Sequence, residues 1–247
     1  MAADKPHNPL EGNRPTLSFN LHDGSDERVS IIIVHKDKPE YLNICLQSIA
    51  VTSVNSNIEI IVVDNNSEKK DSIDYLKELE DQGIKVVRNS KNLYWSPAIN
   101  KGVEAASKSS KYFVFMHSDV VILTSGWLDL LINVAEGNEA GMVGVELNSY
   151  VMQNQKIDFI EDWCVLVTRE CWKSAGPYNE EVPVLGAAFL FTIKAQNNKF
   201  NPQVIKNDNI VHHYRIFGLK YSDYERFAEK AQRDIPQLIR KLQTESI

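Results

Sequence analysis

The sequence predicts an α/β domain: a doubly wound, mostly parallel sheet flanked by helices, with a helical extension at the C-terminus. Three observations carry this. Short, nearly continuous apolar segments rich in β-branched residues recur at Val29–Val34, Glu59–Val63 and Tyr112–Met116, the pattern of strands covered on both faces. Amphipathic helical patterns separate them, which is the alternation of a βαβ fold. Acidic residues, Asp37, Asp64 and Asp119, follow the three segments, and open sheets of this kind bind ligands beyond the carboxyl ends of their strands.

Residues 1–27 lack a period and are rich in Pro, Asn, Asp and Gly, so they read as a flexible arm ahead of a main domain at 28–218. Pro39 opens a helix in which Leu42, Cys45, Leu46 and Ile49 form one stripe. After the second strand, Asp71 reads as the N-cap of a helix with Ile73, Leu76 and Leu79 inward, stopped at Gly83. Ile84 to Val87 is a short strand and Ser96 to Ala106 a third helix. Trp127 to Val134 reads as helix and Gly141 to Glu146 as strand. Ile157 to Val167 follows, then a helix from Arg169 to Ser174 that ends near Gly176-Pro177. Leu185 to Gln196 fits helix or strand equally, because its front half is almost wholly apolar. In the extension, residues 219–247, a stripe of Tyr224, Phe227, Ala231, Ile235, Leu238 and Leu242 marks a helix that Pro236 kinks or restarts.

Composition removes several functions. A net charge of −6 over 247 residues leaves no global basic footprint for nucleic acid or an anionic membrane. Cys45, Cys164 and Cys171 lack metal-ligand spacing and read as reduced thiols of a cytoplasmic protein. No apolar run approaches the roughly 20 residues of a membrane-spanning helix, and the N-terminus has no signal-peptide core. The turn His35-Lys36-Asp37-Lys38-Pro39 contains no G-x-G-x-x-G, which disfavours a dinucleotide oxidoreductase. Walker and G-x-S-x-G motifs are absent as well. A nucleotide here must be held by carboxylates, a metal and loop amides. Asp119 offers a hard carboxylate ligand, and His212 or His213, after Ile210-Val211, an imidazole that a Mn²⁺-like cation accepts.

Six segments, in order, carry a resemblance: VSIIIVHKDKPEYLNICLQSI, IEIIVVDNNS, NSKNLYWSPAINKGVEAAS, FVFMHSDVVI with GWLDLLI, VLVTRECWKSAGPYNEE, and the late IVHH. Together they make the chain, from about Val29 to His213, similar to family 2 glycosyltransferases with the GT-A fold. The resemblance implies a sugar donor carrying a nucleoside diphosphate and a Mn²⁺ or Mg²⁺ cofactor. Val34, His35 and Lys36 would line the nucleotide, with Asp64 near the base or ribose and His117 and Ser118 beside them. Asn100 and Lys101 match the family's Asn-Lys/Arg-Gly step, which closes the pocket beside the diphosphate. Asp119 matches the last acid of the Asp-x-Asp metal motif, and His212 or His213 the histidine that completes the metal site. The acceptor and the oligomeric state are left open.

Two departures qualify the match. His117 stands where the metal motif has its first Asp. After the turn Gly176-Pro177-Tyr178-Asn179-Glu180, Ala187 and Ala188 occupy the place of the acidic pair that supplies the base in inverting relatives, and alanine accepts no proton. A base from elsewhere, from Glu161-Asp162 or from Glu180 or Glu181, is one resolution. A retaining course in which the departing phosphate deprotonates the acceptor is a second. A non-catalytic nucleotide-sugar binding or scaffolding protein is the third. Among aromatics, Tyr94, Trp95 and Trp163 are candidates for sugar contact, and Trp172 reads as core. A nucleotidyltransferase on a similar sheet is disfavoured by the missing Gly-rich loop.

Overall fold

The computed structural model describes residue 17 and residues 28–53, 57–137, 139–152, 155–207, 209–216 and 221–244. Leu17 apart, the proposed arm lies outside the described residues. The first half alternates β1 (Arg28–His35), α1 (Pro39–Thr52), β2 (Ile58–Asp64), α2 (Lys70–Asp81), β3 (Lys85–Arg88), α3 (Ser96–Ala105) and β4 (Ser110–His117). Then come β5 (Val120–Ile122), α4 (Trp127–Gly137), β6 (Met142–Gly144), β7 (Leu147–Met152), β8 (Gln155–Ile160), β9 (Cys164–Thr168) and α5 (Arg169–Ala175). The chain continues through α6 (Ala187–Asn197), β10 (Gln203–Val204), β11 (Val211–His213) and α7 (Tyr221–Thr244).

The main sheet has the order β10-β6-β9-β4-β1-β2-β3. Its β1, β2, β3 and β4 pair in parallel, and β9 runs antiparallel to β4 and β6. The mostly parallel, helix-flanked sheet is therefore as expected. Ile31, Ile32, Ile33, Val62, Val63, Phe113, Val114 and Phe115 are fully buried, which is why these strands read as continuous apolar runs with no alternation. One core layer joins the sheet to α1 and α2, the other to α3, α5 and α6.

Four local expectations change. Asp71 does not cap α2; the helix starts at Lys70, and Asp37 Oδ1 accepts from the N–H groups of Glu68 and Lys69 at 2.7 and 2.9 Å, a cap supplied from another loop. Ile157 to Val167 is not one segment but two strands, broken at Glu161-Asp162-Trp163. Leu185 to Gln196 resolves as helix α6, because it packs between the sheet and α7 and buries residues on all sides. Pro236 does not interrupt α7, which is continuous from Tyr221 to Thr244. Ile235 and Ile239, nearly fully buried on either side of the proline, anchor both halves to α6.

Gly186, just before α6, has φ of 93° and faces Ile235 of α7 closely enough that a Cβ would collide with the Ile235 side chain. Gly186→Ala therefore combines a left-handed backbone with overpacking. It should lower unfolding free energy by about 2 kcal/mol or more, read from the urea midpoint at unchanged slope.

Candidate functional site

The C-terminal ends of β1, β2 and β4 open onto a cavity of about 430 Å³. Parallel register sets Val34 beside His117. Val34, His35, Lys36, His117, Ser118 and Asp119 all line the cavity, with Glu161, Asp162 and Trp163 from the β8–β9 break and His213 from β11. At the break the chain passes from the two-stranded β7–β8 sheet into β9, between β6 and β4 of the main sheet, and Glu161 and Asp162 line the cavity there.

Strand pairing decides between the two late histidines. β11 pairs antiparallel with β5, placing His213 opposite Val120 and His212 opposite Val121. Successive side chains on a strand point to opposite faces, so only one imidazole turns inward. His213 Nε2 lies 3.2 Å from Asp119 Oδ1 and 3.3 Å from His117 Nδ1, and His117 Nδ1 lies 4.0 Å from the same carboxylate oxygen. His212 is exposed and packs edge-on against Tyr214. The expected choice of His212 or His213 thus falls on His213, and His212 stands away from the group.

Asp119 is 8% exposed, and burial alone would raise its pKa. The His213 hydrogen bond and charge, and the amide of Ile216 donating to Oδ2 at 2.7 Å, outweigh burial and hold its carboxyl below the ordinary range. Burial pushes His117 down to about 4, with His213 adding to the effect. Its imidazole is thus neutral at pH 7, the form that can offer a lone pair. His35 is likewise lowered to about 4 by burial, with Nε2 sharing a hydrogen bond with Ser72 Oγ at 2.8 Å.

Asp162 behaves in the opposite way. Burial, followed by the charge of Glu161, raises it to about 7, although Trp95 Nε1 donates to its Oδ2 at 2.5 Å. The Trp95 ring meets His117 edge-on at 4.5 Å between centroids. Glu161 accepts from Asn148 at 2.6 Å. The two aromatic candidates Trp95 and Trp163 are nearly buried, Trp163 lying flat on His213 at 4.7 Å and 21°, so they fix other side chains. Tyr94 lines the cavity and is braced by Phe227 and Arg226 of α7. Trp172 packs among Phe115, Tyr178 and Phe191.

Besides His212, three expected site residues lie outside the lining. Asp64 is buried and accepts from Ser67 N and Oγ at 3.0 and 2.6 Å, closing its own turn; its neighbour Asn65 reaches the cavity instead. Asn100 accepts from Tyr178 N at 2.9 Å and donates to Tyr178 O and Glu180 Oε1 at 3.1 and 2.9 Å. It latches α3 to the loop whose Val184 and Leu185 form a cavity wall. Lys101 is exposed and does not line the cavity. Ala187 and Ala188 are buried at the start of α6, and Glu180 is engaged by Asn100. Sequence reading missed Lys38, Tyr41, Glu146 and Arg215, which also line the cavity. Glu146 was within reach, since it follows a strand and strand ends face this rim.

His117, Asp119 and His213 bring one donor atom each to within 4.8 Å of one another. Two ligands at about 2.1 Å on neighbouring corners of an octahedral cation are about 3 Å apart. The observed 3.2 and 3.3 Å sit near that spacing and the third separation, 4.0 Å, is wider; two imidazoles with one carboxylate suit a Mn²⁺-like ion. The donor set fits a divalent cation.

Comparison with known proteins agrees with this arrangement. The Glycosyl transferase family 2 profile matches residues 30–189. An uncharacterized protein y4gI of Sinorhizobium fredii is 30% identical over 121 residues, 48% of this chain and 13% of that protein. The O-antigen biosynthesis protein RfbC of Myxococcus xanthus is 29% identical over 120 residues, 49% of this chain and 9% of that protein. The chain therefore aligns with only a small part of either relative. In fold, the mannosyltransferase PcManGT of Pyrobaculum calidifontis, solved with GDP-Man and Mn²⁺, superposes with a TM-score of 0.66 at 13% identity, covering 86% of this chain and 64% of that one. GalNAc-T7, solved with UDP, GalNAc and Mn²⁺, gives 0.61 at 14%, covering 82% and 48%. TarS of S. aureus gives 0.58 at 16%, covering 84% and 43%. The sheet is that of the GT-A glycosyltransferases, the profile spans most of the chain, and the protein belongs to glycosyl transferase family 2.

Proposed function

We propose that this protein transfers a hexose-type sugar from a nucleotide-diphosphate donor to an acceptor with the help of Mn²⁺ or Mg²⁺. The observation that carries the reading is the convergence of His117, Asp119 and His213 on the floor of the strand-end cavity. Two neighbours of the same fold were solved with nucleotide or nucleotide sugar together with Mn²⁺, which supports a donor of that class. When bound, the cation neutralises the charge that builds on the departing diphosphate. The chain's own residues do the remaining work. Val34, His35 and Lys36 wall the nucleotide side, and Trp95 and His117 hold each other's orientation. His117 Nδ1, His213 Nε2 and the ionised Asp119 Oδ1 face one another there.

Among the described residues, the carboxylates that line the cavity are Asp119, Glu146, Glu161 and Asp162. Asp162 is our candidate for the proton acceptor in place of the acids absent at Ala187 and Ala188, with Glu161 as the neighbour that keeps its pKa high. The buried alanines favour a second reading, a nucleotide-sugar binding protein without turnover. Release of nucleoside diphosphate from a cognate donor separates the two readings, since a binding protein shows affinity alone.

A panel of nucleotide sugars screened by thermal denaturation, with and without Mn²⁺, tests the shared premise. A donor at a hundred times its dissociation constant stabilises by about 2.7 kcal/mol, so the cognate donor should raise the melting temperature only when Mn²⁺ is present. A panel without any metal-dependent shift would remove the donor reading.

A further inference from the structure

Arg215 is a cation on the cavity wall in an unusual backbone state. Its φ is 56°, a left-handed conformation uncommon outside glycine and asparagine. Hydrogen bonds on both sides impose it: Tyr214 N donates to the Asp119 carbonyl at 3.0 Å and Ile216 N donates to Asp119 Oδ2 at 2.7 Å. Asp119 therefore uses one carboxylate oxygen to face His213 and the other to set the loop that carries Arg215.

The Arg215 guanidinium meets Glu146, with Nη2 at 2.7 and 3.0 Å from the two carboxylate oxygens. Glu146 does not depend on Arg215 for its own position. Trp163 Nε1 donates to Glu146 Oε2 at 2.6 Å, and the same indole lies flat on His213. Among the described residues His213 Nδ1 is buried without a partner, and stacking on Trp163 holds the plane of the ring. Glu146 is thus anchored from the protein side, while Arg215 is held to it by a pair open to water, the two side chains being 63% and 34% exposed. Exposed pairs of this kind contribute little to stability and are readily exchanged. Only Nη2 engages the carboxylate, whereas a phosphate offers the guanidinium a two-nitrogen, bidentate pairing with more charge.

We propose that Glu146 is a positioning residue that parks Arg215 beside the cation site and releases it to the donor's diphosphate. The inference rests on the reading of the cavity as a donor site. The anchored Glu146–Trp163 contact keeps His213 in plane during the exchange, so only the arginine moves. Before the donor binds, Glu146 neutralises Arg215, and the diphosphate, arriving with the metal, takes the guanidinium over.

The test is binding of UDP and of GDP to the full chain by calorimetry with saturating Mn²⁺, in wild type, Glu146→Gln, Arg215→Ala and the double variant, with Mn²⁺ alone titrated in each. Glu146→Gln keeps an oxygen for the Trp163 N–H and removes the competing charge. It should tighten nucleoside diphosphate about two- to fivefold, the worth of an exposed ion pair, and leave Mn²⁺ affinity within twofold. Arg215→Ala should weaken the diphosphate about ten- to a hundredfold. In the Arg215→Ala background, Glu146→Gln should change nothing, because no cation is left to park. If Arg215→Ala binds the diphosphate like wild type, or if Glu146→Gln has the same effect with and without Arg215, the proposal is wrong and the donor reading stands. If wild type binds neither nucleotide with Mn²⁺, the donor reading itself fails and takes the proposal with it.

Discussion

Asp119→Asn is expected to lower Mn²⁺ affinity by about a hundredfold or more and to reduce metal-dependent release of nucleoside diphosphate by a similar or larger factor. The substitution preserves shape: an amide oxygen can face His213, and the Ile216 amide keeps a nearby acceptor or loses one modest hydrogen bond of about 1 kcal/mol. It removes the negative charge, which among the three donors only Asp119 supplies. Two imidazoles and an amide make a poor site for a hard cation that still has to hold a diphosphate. The melting temperature of the metal-free protein should move by only a few degrees, which separates this outcome from unfolding. Loss of the free Mn²⁺ signal in electron paramagnetic resonance measures the binding directly. Unchanged Mn²⁺ uptake by the Asn variant would place the cation elsewhere and dissolve the assignment of His117 and His213 with it.

The parallel half of the fold was legible because burial on both faces writes itself into the chain as apolar runs, as in Ile31–Ile33 and Val62–Val63. Asp119 was legible for a related reason: it stands two residues past the end of β4, a strand buried from Tyr112 to Met116, where ligands gather. The fates of Asp37 and Asp64 were not. Asp37 caps a helix 31 and 32 residues away in sequence and Asp64 closes its own turn, and nothing local distinguishes an acid that caps from one that faces a cavity. Nor could the chain alone separate His212 from His213. A one-residue difference in register exchanges them, and that register is set by pairing with β5, some ninety residues earlier. Arg215 was hidden because its meeting with Glu146 is a tertiary contact between β11's exit and the end of β6. The break at Glu161-Asp162-Trp163 lacks glycine or proline, so no local signal marks it.

Asp162→Asn should make the protein slower and, above neutral pH, more stable. In the wild type, burial and Glu161 raise Asp162 to about 7 from an ordinary carboxylate value of about 4. The folded state therefore binds more protons than the unfolded state between about pH 4 and pH 7, and stability must fall as pH rises through that window. The stabilisation is present in full below about pH 4 and gone once the pH exceeds the folded value near 7. Asparagine has no proton to lose, so urea unfolding at pH 8 should show the variant gaining on wild type relative to pH 5, by on the order of 3 kcal/mol at most. Activity should move the other way. A carboxylate with a pKa near 7 is matched to accepting a proton at neutral pH, and its removal is expected to reduce kcat by about 10²- to 10⁴-fold while leaving nucleoside diphosphate affinity within a few fold. The wild-type rate should decline below pH 7 with a single acidic limb, and the residual rate of the variant should lack that limb. If the variant keeps the wild-type rate and limb, the acceptor loses its proton to another group, with the departing phosphate of a retaining transfer as the alternative. Gain in stability together with loss of turnover is what a buried acid retained for chemistry predicts, whereas an acid retained only to hold the Trp95 indole would lose stability on replacement.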